Sequence, residues 1–256
     1  MIGAIAGDMI GSPYESCPIK TVAVPMVVAA FTDDTVLTIA VANAIIRCKD
    51  YRVAIKCFAR NFPNLPYGGS FWHWIWDPNS IPYYSYGNGS AMRVSPVGFA
   101  FESIEDVLAH AKRSAEVSHN HPEGIKGAQA TALAVFLARK DADKATIRRQ
   151  IETRFAYDLG CSVDDIRTGY RFDVSCQGSV PESIIAFLDS KDYETAVKNA
   201  ISLGGDADTM ACIAGGIAQA YYKTIHPDIV WQVRRNLPDA LLAVLDQFSE
   251  KFDCPY

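Results

Sequence analysis

Apolar positions recur every three or four residues along most of the chain, the spacing of a single helix face. Val36, Leu37, Ala40, Ala44 and Ile45 share such a face behind the acidic pair Asp33 and Asp34. Ile104, Val107, Leu108, Ala111 and Ala115 repeat it behind a Ser103-x-x-Asp106 start that resembles a capping box. Ile147, Ile151 and Phe155 are spaced by four, and Pro181 suits the first turn of a helix running into SIIAFL. The stretches 192–203 and 238–251 are again amphipathic. Alternation by two is scarce, so the pattern predicts an all-α protein.

The pattern breaks at 63–90, 118–124 and 159–179. None of these is a low-complexity linker and no internal repeat stands out, so one compact helical domain over 1–256 is expected. The first break holds Trp72, Trp74 and Trp76 with Tyr67, Phe71, Tyr83, Tyr84 and Tyr86. A loop of that length is functional or disordered as a rule, and its aromatic content argues against disorder.

Composition narrows the function. Apolar residues make up 49% of the 256, ample for a core. Lys and Arg number 24 against 29 Asp and Glu, a net charge of −5 without a basic run, which weighs against a nucleic-acid polymer as partner. The cysteines at 17, 48, 57, 161, 176, 212 and 254 form no C-x-x-C pair and fit reduced thiols better than a disulfide framework or a zinc knuckle. MIGAIAGDMIG has no basic leader and is interrupted by Asp8. No apolar run approaches the roughly 18 to 20 residues of a membrane span. A soluble, cytoplasmic protein without a membrane partner is the expectation.

Two acidic clusters stand in apolar, small-residue surroundings: FTDDT at 31–35 and GGDADT at 204–209. Buried carboxylates must be paired or bound to a metal. Carboxylates with threonine hydroxyls are hard oxygen ligands that suit Mg²⁺, Mn²⁺ or Ca²⁺ rather than zinc. Thr and Asp are equally ordinary helix N-caps, so either cluster alone leaves capping and metal binding open. The presence of two favours a metal. The D-D-x-x-D pattern fails because Leu37 stands three after Asp34, and D-x-D-x-T fails because Thr209 follows Asp208 directly.

Three further stretches could carry chemistry. Glu15 follows the turn residues Gly11, Ser12 and Pro13, either as a solvated glutamate or as a catalytic carboxylate beside a metal site. Gly87-Asn88-Gly89-Ser90 is a glycine-rich turn whose amides could form an anion nest, although a plain turn explains it equally well. His119 and His121 in SHNHPEG stand at a helix start, where an imidazole could donate to a ligand or satisfy loop carbonyls. His73, His110 and His226 read as structural or surface residues.

In this order the motifs G-D-x-x-G-S-x-Y-E (7–15), F-T-D-D-T (31–35), Y-G-N-G-S-A-M-R (86–93), S-H-N-H-P (118–122) and L-G-G-D-A-D-T (203–209) resemble the ADP-ribosylglycohydrolase family. The resemblance runs over roughly residues 1–225. It implies an all-α orthogonal helical bundle with two Mg²⁺ ions, Mn²⁺ being the alternative, and Thr32, Asp33, Asp34, Asp206, Asp208 and Thr209 as ligands. It gives Glu15 the place beside the reacting ribose, makes the turn Gly87, Asn88, Gly89 and Ser90 a diphosphate cradle, and sets His119 against the ligand. The Trp-rich loop has no counterpart in that likeness.

The implied activity is hydrolysis of the glycosidic bond between ADP-ribose and a protein side chain or small conjugate, releasing ADP-ribose. Glu15 is the expected general acid/base, with Asp33 or Asp34 as the alternative. Two other readings stay open: a non-catalytic ADP-ribose-binding module, and a hydrolase of O-acetyl-ADP-ribose or a related nucleotide conjugate.

Overall fold

A computed structural model describes residues 1–254 and 256, and they form helices without a strand among the described residues. In chain order these are α1 (Ile2–Glu15), α2 (Asp33–Arg47), α3 (Tyr51–Asn61), α4 (Gly69–Trp76), α5 (Gly89–Met92), α6 (Ser95–Ala100), α7 (Ile104–Glu116) and α8 (Pro122–Arg139). There follow α9 (Lys144–Phe155), α10 (Val163–Arg167), α11 (Cys176–Leu188), α12 (Tyr193–Ser202), α13 (Ala207–Tyr222), α14 (Pro227–Asn236) and α15 (Asp239–Lys251). The expected all-α class is observed, and no described helix is long and apolar enough to cross a membrane.

Two helices organise the rest. α13 is buried from Ala207 to Ala220 and packs against α1, α12, α11 and α8. α8 in turn carries α5, α6, α7 and α9 around it. α2 bridges to α3 and α15. Helix starts are capped by side chains: Thr32, Ser103, His121, Asp143, Ser175 and Asp192 each accept a first-turn N–H, satisfying donors that have no partner within the helix.

The α1–α13 contact is set by residues without side chains. Gly3, Gly7 and Gly11 recur every four positions on one face of α1. A Cβ on Gly7 would lie 2.1 Å from the Ala211 carbonyl oxygen, and one on Gly11 would lie 2.5 Å from that of Ala207. On the partner helix, a Cβ on Gly215 would meet the Gly3 oxygen at 2.4 Å. Backbone therefore lies directly on backbone, closer than any larger residue allows.

The structure differs from the sequence pattern at two helix boundaries, each because a partner outweighs local preference, and within two of the breaks. α1 continues through Pro13 and ends on Glu15, so Glu15 belongs to the helix rather than to a turn beyond it. A proline there leaves the Met9 carbonyl without its helical donor; the Ala29 N–H takes that place at 2.9 Å, and the Ser12 hydroxyl ties to the Ala30 oxygen at 2.9 Å. Pro181 lies in the middle of α11 rather than in its first turn, because Ser175 caps the helix earlier and the Cys176 N–H is held by the Tyr86 carbonyl at 2.8 Å. The breaks at 63–90 and 159–179 are not wholly irregular: the first contains α4 and the start of α5, the second α10 and the start of α11.

The close crossing yields a stability test. Gly7→Ala overpacks a backbone contact and should cost about 1–3 kcal/mol in urea unfolding, whereas Gly169→Ala, whose Cβ would meet nothing within 4 Å, should stay within about 0.5 kcal/mol. Equal stabilities would show that the glycine face does not govern the packing.

Candidate active site

The α1–α13 contact converges at one end on carboxylates. Glu15 closes α1, Asp206 is the N-cap of α13, and Asp208 stands in its first turn. One carboxylate oxygen from each of these three lies within 4.8 Å of the others. The start of α2 meets the same place: the Thr209 hydroxyl donates to Asp34 Oδ2 at 3.3 Å across 175 residues of sequence. The two acidic clusters are thus neighbours in space.

Asp8 holds the second cluster in position. It is fully buried inside α1 and accepts from the Thr32 N–H (3.0 Å) and hydroxyl (2.8 Å) and from the Thr35 N–H (3.2 Å) and hydroxyl (2.5 Å). One carboxylate so caps the N-terminus of α2, where the helix dipole favours negative charge. Thr32 Oγ1 also accepts from the Asp34 N–H at 3.2 Å. Burial pushes the Asp8 carboxyl up to about 7, against the hydrogen bonds from Thr35 and Thr32.

The cluster is electrostatically costly as it stands. Burial, then the charge of Asp208, raises Asp33, Asp34 and Asp206 well above the ordinary carboxylate range. The same two causes raise Glu15, which is only partly buried. Among the described residues no lysine or arginine forms an ion pair with any of these acids. Asp34 Oδ1 is buried without a hydrogen-bond partner. An all-oxygen donor set with an orphaned carboxylate oxygen fits a hard divalent cation.

These carboxylates line a cavity of about 530 Å³, a size suited to a small-molecule ligand. Gly87, Asn88 and Gly89 form part of its wall. The turn is fixed by the bridge between Gly87 and Ser175. Asn88 donates from Nδ2 to Asp206 Oδ2 at 2.7 Å, tying the turn to the acidic cluster. The Gly87 and Asn88 amides are bonded within the protein, to Ser85 Oγ at 3.1 Å and to the Val174 oxygen at 2.8 Å. Ser90 is fully buried and its hydroxyl donates to the Gly124 carbonyl at 2.7 Å. His119 also lines the cavity and is 5% exposed. His121 serves as the N-cap of α8, its Nδ1 accepting from the Glu123 N–H at 3.1 Å.

The aromatic segment 63–90 supplies another wall. Pro66, Gly68, Gly69 and Phe71, around the start of α4, face the cavity together with Tyr83 and Tyr86. Trp74 is buried beneath, under the Lys56 ammonium 4.7 Å from its ring. Trp72 and Trp76 remain exposed.

Fold and site together define an all-α protein with a carboxylate-lined cavity at converging helix ends. The chain belongs to the ADP-ribosylglycohydrolase family, whose model matches residues 1–255. It is similar to the ADP-ribosylhydrolase ARH3 of Homo sapiens, 32% identical over 193 residues that cover 58% of this chain and 53% of that protein. The match thus spans about half the length of the human relative. The Mus musculus ARH3 is 25% identical over 316 residues, covering 91% of this chain and 85% of the relative. The ADP-ribosylarginine hydrolase Tri1 of Pseudomonas putida (strain GB-1) is 24% identical over 261 residues, covering 87% and 69%. A solved structure described as an ADP-ribosylglycohydrolase-related protein complex shares the fold, with a TM-score of 0.73 at 22% identity over 97% of this chain and 95% of that one.

Sequence reasoning overlooked four residues of the site. Asp8, Arg93 and Ser118 stand inside the quoted motifs without a role, and Phe71 stands in the aromatic break without one. Asp8 had the clearest signal, a lone acid within an otherwise apolar helix face. Replacing it with Ala orphans four buried donors, so Asp8→Ala should lose roughly 2–4 kcal/mol in denaturant unfolding. Asp8→Asn, which keeps one acceptor oxygen, should lose less. An unchanged midpoint for Asp8→Ala would show that this carboxylate does not hold α2.

Proposed function

We propose that this chain is a divalent-cation-dependent hydrolase that cleaves the glycosidic bond between ADP-ribose and a protein side chain or small conjugate, releasing ADP-ribose. The observation that carries the reading is the approach of Glu15, Asp206 and Asp208 to within 4.8 Å at the floor of a cavity also lined by Asn88 and His119. Membership of the ADP-ribosylglycohydrolase family and likeness to proteins named ADP-ribosylhydrolase and ADP-ribosylarginine hydrolase support it. The whole chain acts as one such domain.

Asp33, Asp34, Asp206 and Asp208, with the hydroxyls of Thr32 and Thr209, would hold two Mg²⁺ ions, for which Mn²⁺ could substitute. When bound, such ions supply Lewis-acid polarisation and a fixed position for ribose hydroxyls and water. The chain's own groups do the rest. Cleavage at the anomeric carbon passes through an oxocarbenium-like transition state, which needs a proton moved to the leaving atom or from the attacking water. Glu15 is the candidate for this. It ends α1, reaches the cavity, and has a carboxyl raised by burial and by the Asp208 charge, which suits a general acid/base. Asn88 bonds Asp206 and so keeps the glycine turn in register with the acidic cluster.

Three outcomes are expected. Purified protein with Mg²⁺, tested against arginine-, serine- and acyl-linked ADP-ribose, should release ADP-ribose by mass spectrometry, and EDTA should abolish release until Mg²⁺ is restored. Full turnover in chelator would refute the cation dependence, and AMP as product would point to pyrophosphate cleavage instead. Glu15→Gln should keep ADP-ribose affinity by calorimetry while losing about 10² to 10⁴ in kcat; near-normal kcat would remove Glu15 from the chemistry. Tight ADP-ribose binding with no release from any substrate would favour a non-catalytic binding module.

A further inference from the structure

Arg93 is fully buried at the end of α5 and lines the cavity, yet no acidic side chain pairs with it among the described residues. Its Nε and Nη1 have no hydrogen-bond partner. Nη2 makes the bonds that fix it, donating to the Ser114 carbonyl at 2.9 Å and to Ser118 Oγ at 3.0 Å. Ser118, also fully buried, lies 2.8 Å from His119 Nδ1 through the same Oγ.

The directions of these bonds follow from the chemistry of the groups. A guanidinium only donates, so Ser118 Oγ accepts from Arg93. The hydroxyl proton is then free to go elsewhere, and His119 Nδ1 is the acceptor within reach of it among the described residues. Nδ1 can accept only when it carries no proton, which leaves the proton on Nε2. Nε2 points at the glycine turn: it lies 3.2 Å from where a Cβ on Gly89 would stand and 3.6 Å from one on Gly87. The aromatic rings of Tyr83 and Phe71 pack around the imidazole at centroid distances of 5.8 and 6.4 Å and hold its plane.

We infer that Arg93 and Ser118 are positioning residues that hold His119 as the Nε2–H tautomer, presenting a fixed donor to a ligand oxygen at the Gly87–Gly89 turn. The relay rests on geometry alone; its use in binding rests on the reading of the cavity as an ADP-ribose site. Burial, aided by the nearby Arg93 charge, also holds the His119 pKa well below the ordinary imidazole value, so the ring stays neutral with a single N–H to donate. Arg93 thus acts at a distance. It orients the serine, and the serine orients the histidine.

The relay is tested on the ligand-free protein by ¹⁵N NMR of histidine-labelled chain, with His119→Asn identifying the signal. The wild type should show His119 protonated at Nε2 and not at Nδ1, and Ser118→Ala should redistribute the ring toward the Nδ1–H form. In calorimetry Ser118→Ala should weaken ADP-ribose binding roughly tenfold, the worth of one hydrogen bond. Adding it to His119→Ala should then cost nothing further, since Ser118 works only through His119. An Nδ1–H ring in the wild type, an unchanged tautomer in Ser118→Ala, or losses that add in the double variant would overturn the inference. A wild type that does not bind ADP-ribose would instead strike the reading of the cavity, while the ligand-free spectrum still decides the relay.

Discussion

The site depends on how closely two helices can cross. α1 and α13 meet through Gly3, Gly7, Gly11 and Gly215, with the backbone of one against the backbone of the other. That approach sets what each helix end can reach. It carries Glu15 to the side of Asp206 and Asp208, and it buries Asp8 where it can cap α2. Once α2 is so anchored, Asp34 comes within reach of Thr209. Any wider crossing would separate the carboxylates and relax the electrostatic cost that now concentrates there.

That cost gives the cavity its chemistry. Six acids, Asp8, Glu15, Asp33, Asp34, Asp206 and Asp208, crowd one region, and burial is the main cause that raises Asp8, Asp33, Asp34 and Asp206 above the ordinary carboxylate range. Proteins do not keep such an arrangement for stability, since an uncompensated buried charge is among the more destabilising features a fold can carry. Structure elsewhere compensates: the apolar body of α13, the capping bonds from Thr32 and Thr35, and the bond from Asn88. On the opposite sign, Arg93 is buried without an acid and is satisfied in part by Ser114 and Ser118. The cavity therefore carries both an unpaired acidic cluster and an unpaired guanidinium, a pattern of stored electrostatic tension common at functional sites.

Much of this was legible from the chain itself. The helical period located α2, α7, α9, α12 and α15, and the residues Thr32 to Asp34 and Asp206 to Thr209 named the acidic clusters before their positions were known. What stayed hidden depended on tertiary partners. Pro13 reads as a helix end until the Ala29 N–H is seen on the Met9 carbonyl, and Pro181 reads as a helix start until Ser175 and Tyr86 are seen ahead of it. α4 escaped because its Phe71, Trp72, Trp74, Ile75 and Trp76 are apolar nearly all round, which leaves no face for periodicity to detect. Ser118 stands in the S-H-N-H-P motif, but its role lies in a bond from Arg93, 25 residues earlier, which no local pattern shows.

The central claim, that converging helix ends make a divalent-cation site from these carboxylates, is tested most directly by anomalous diffraction from crystals grown with Mn²⁺. The account predicts anomalous density in the cavity in contact with the carboxylates of Asp34, Asp206 and Asp208. A well-ordered cavity without such density, or Mn²⁺ bound only at sites elsewhere on the protein, would contradict it.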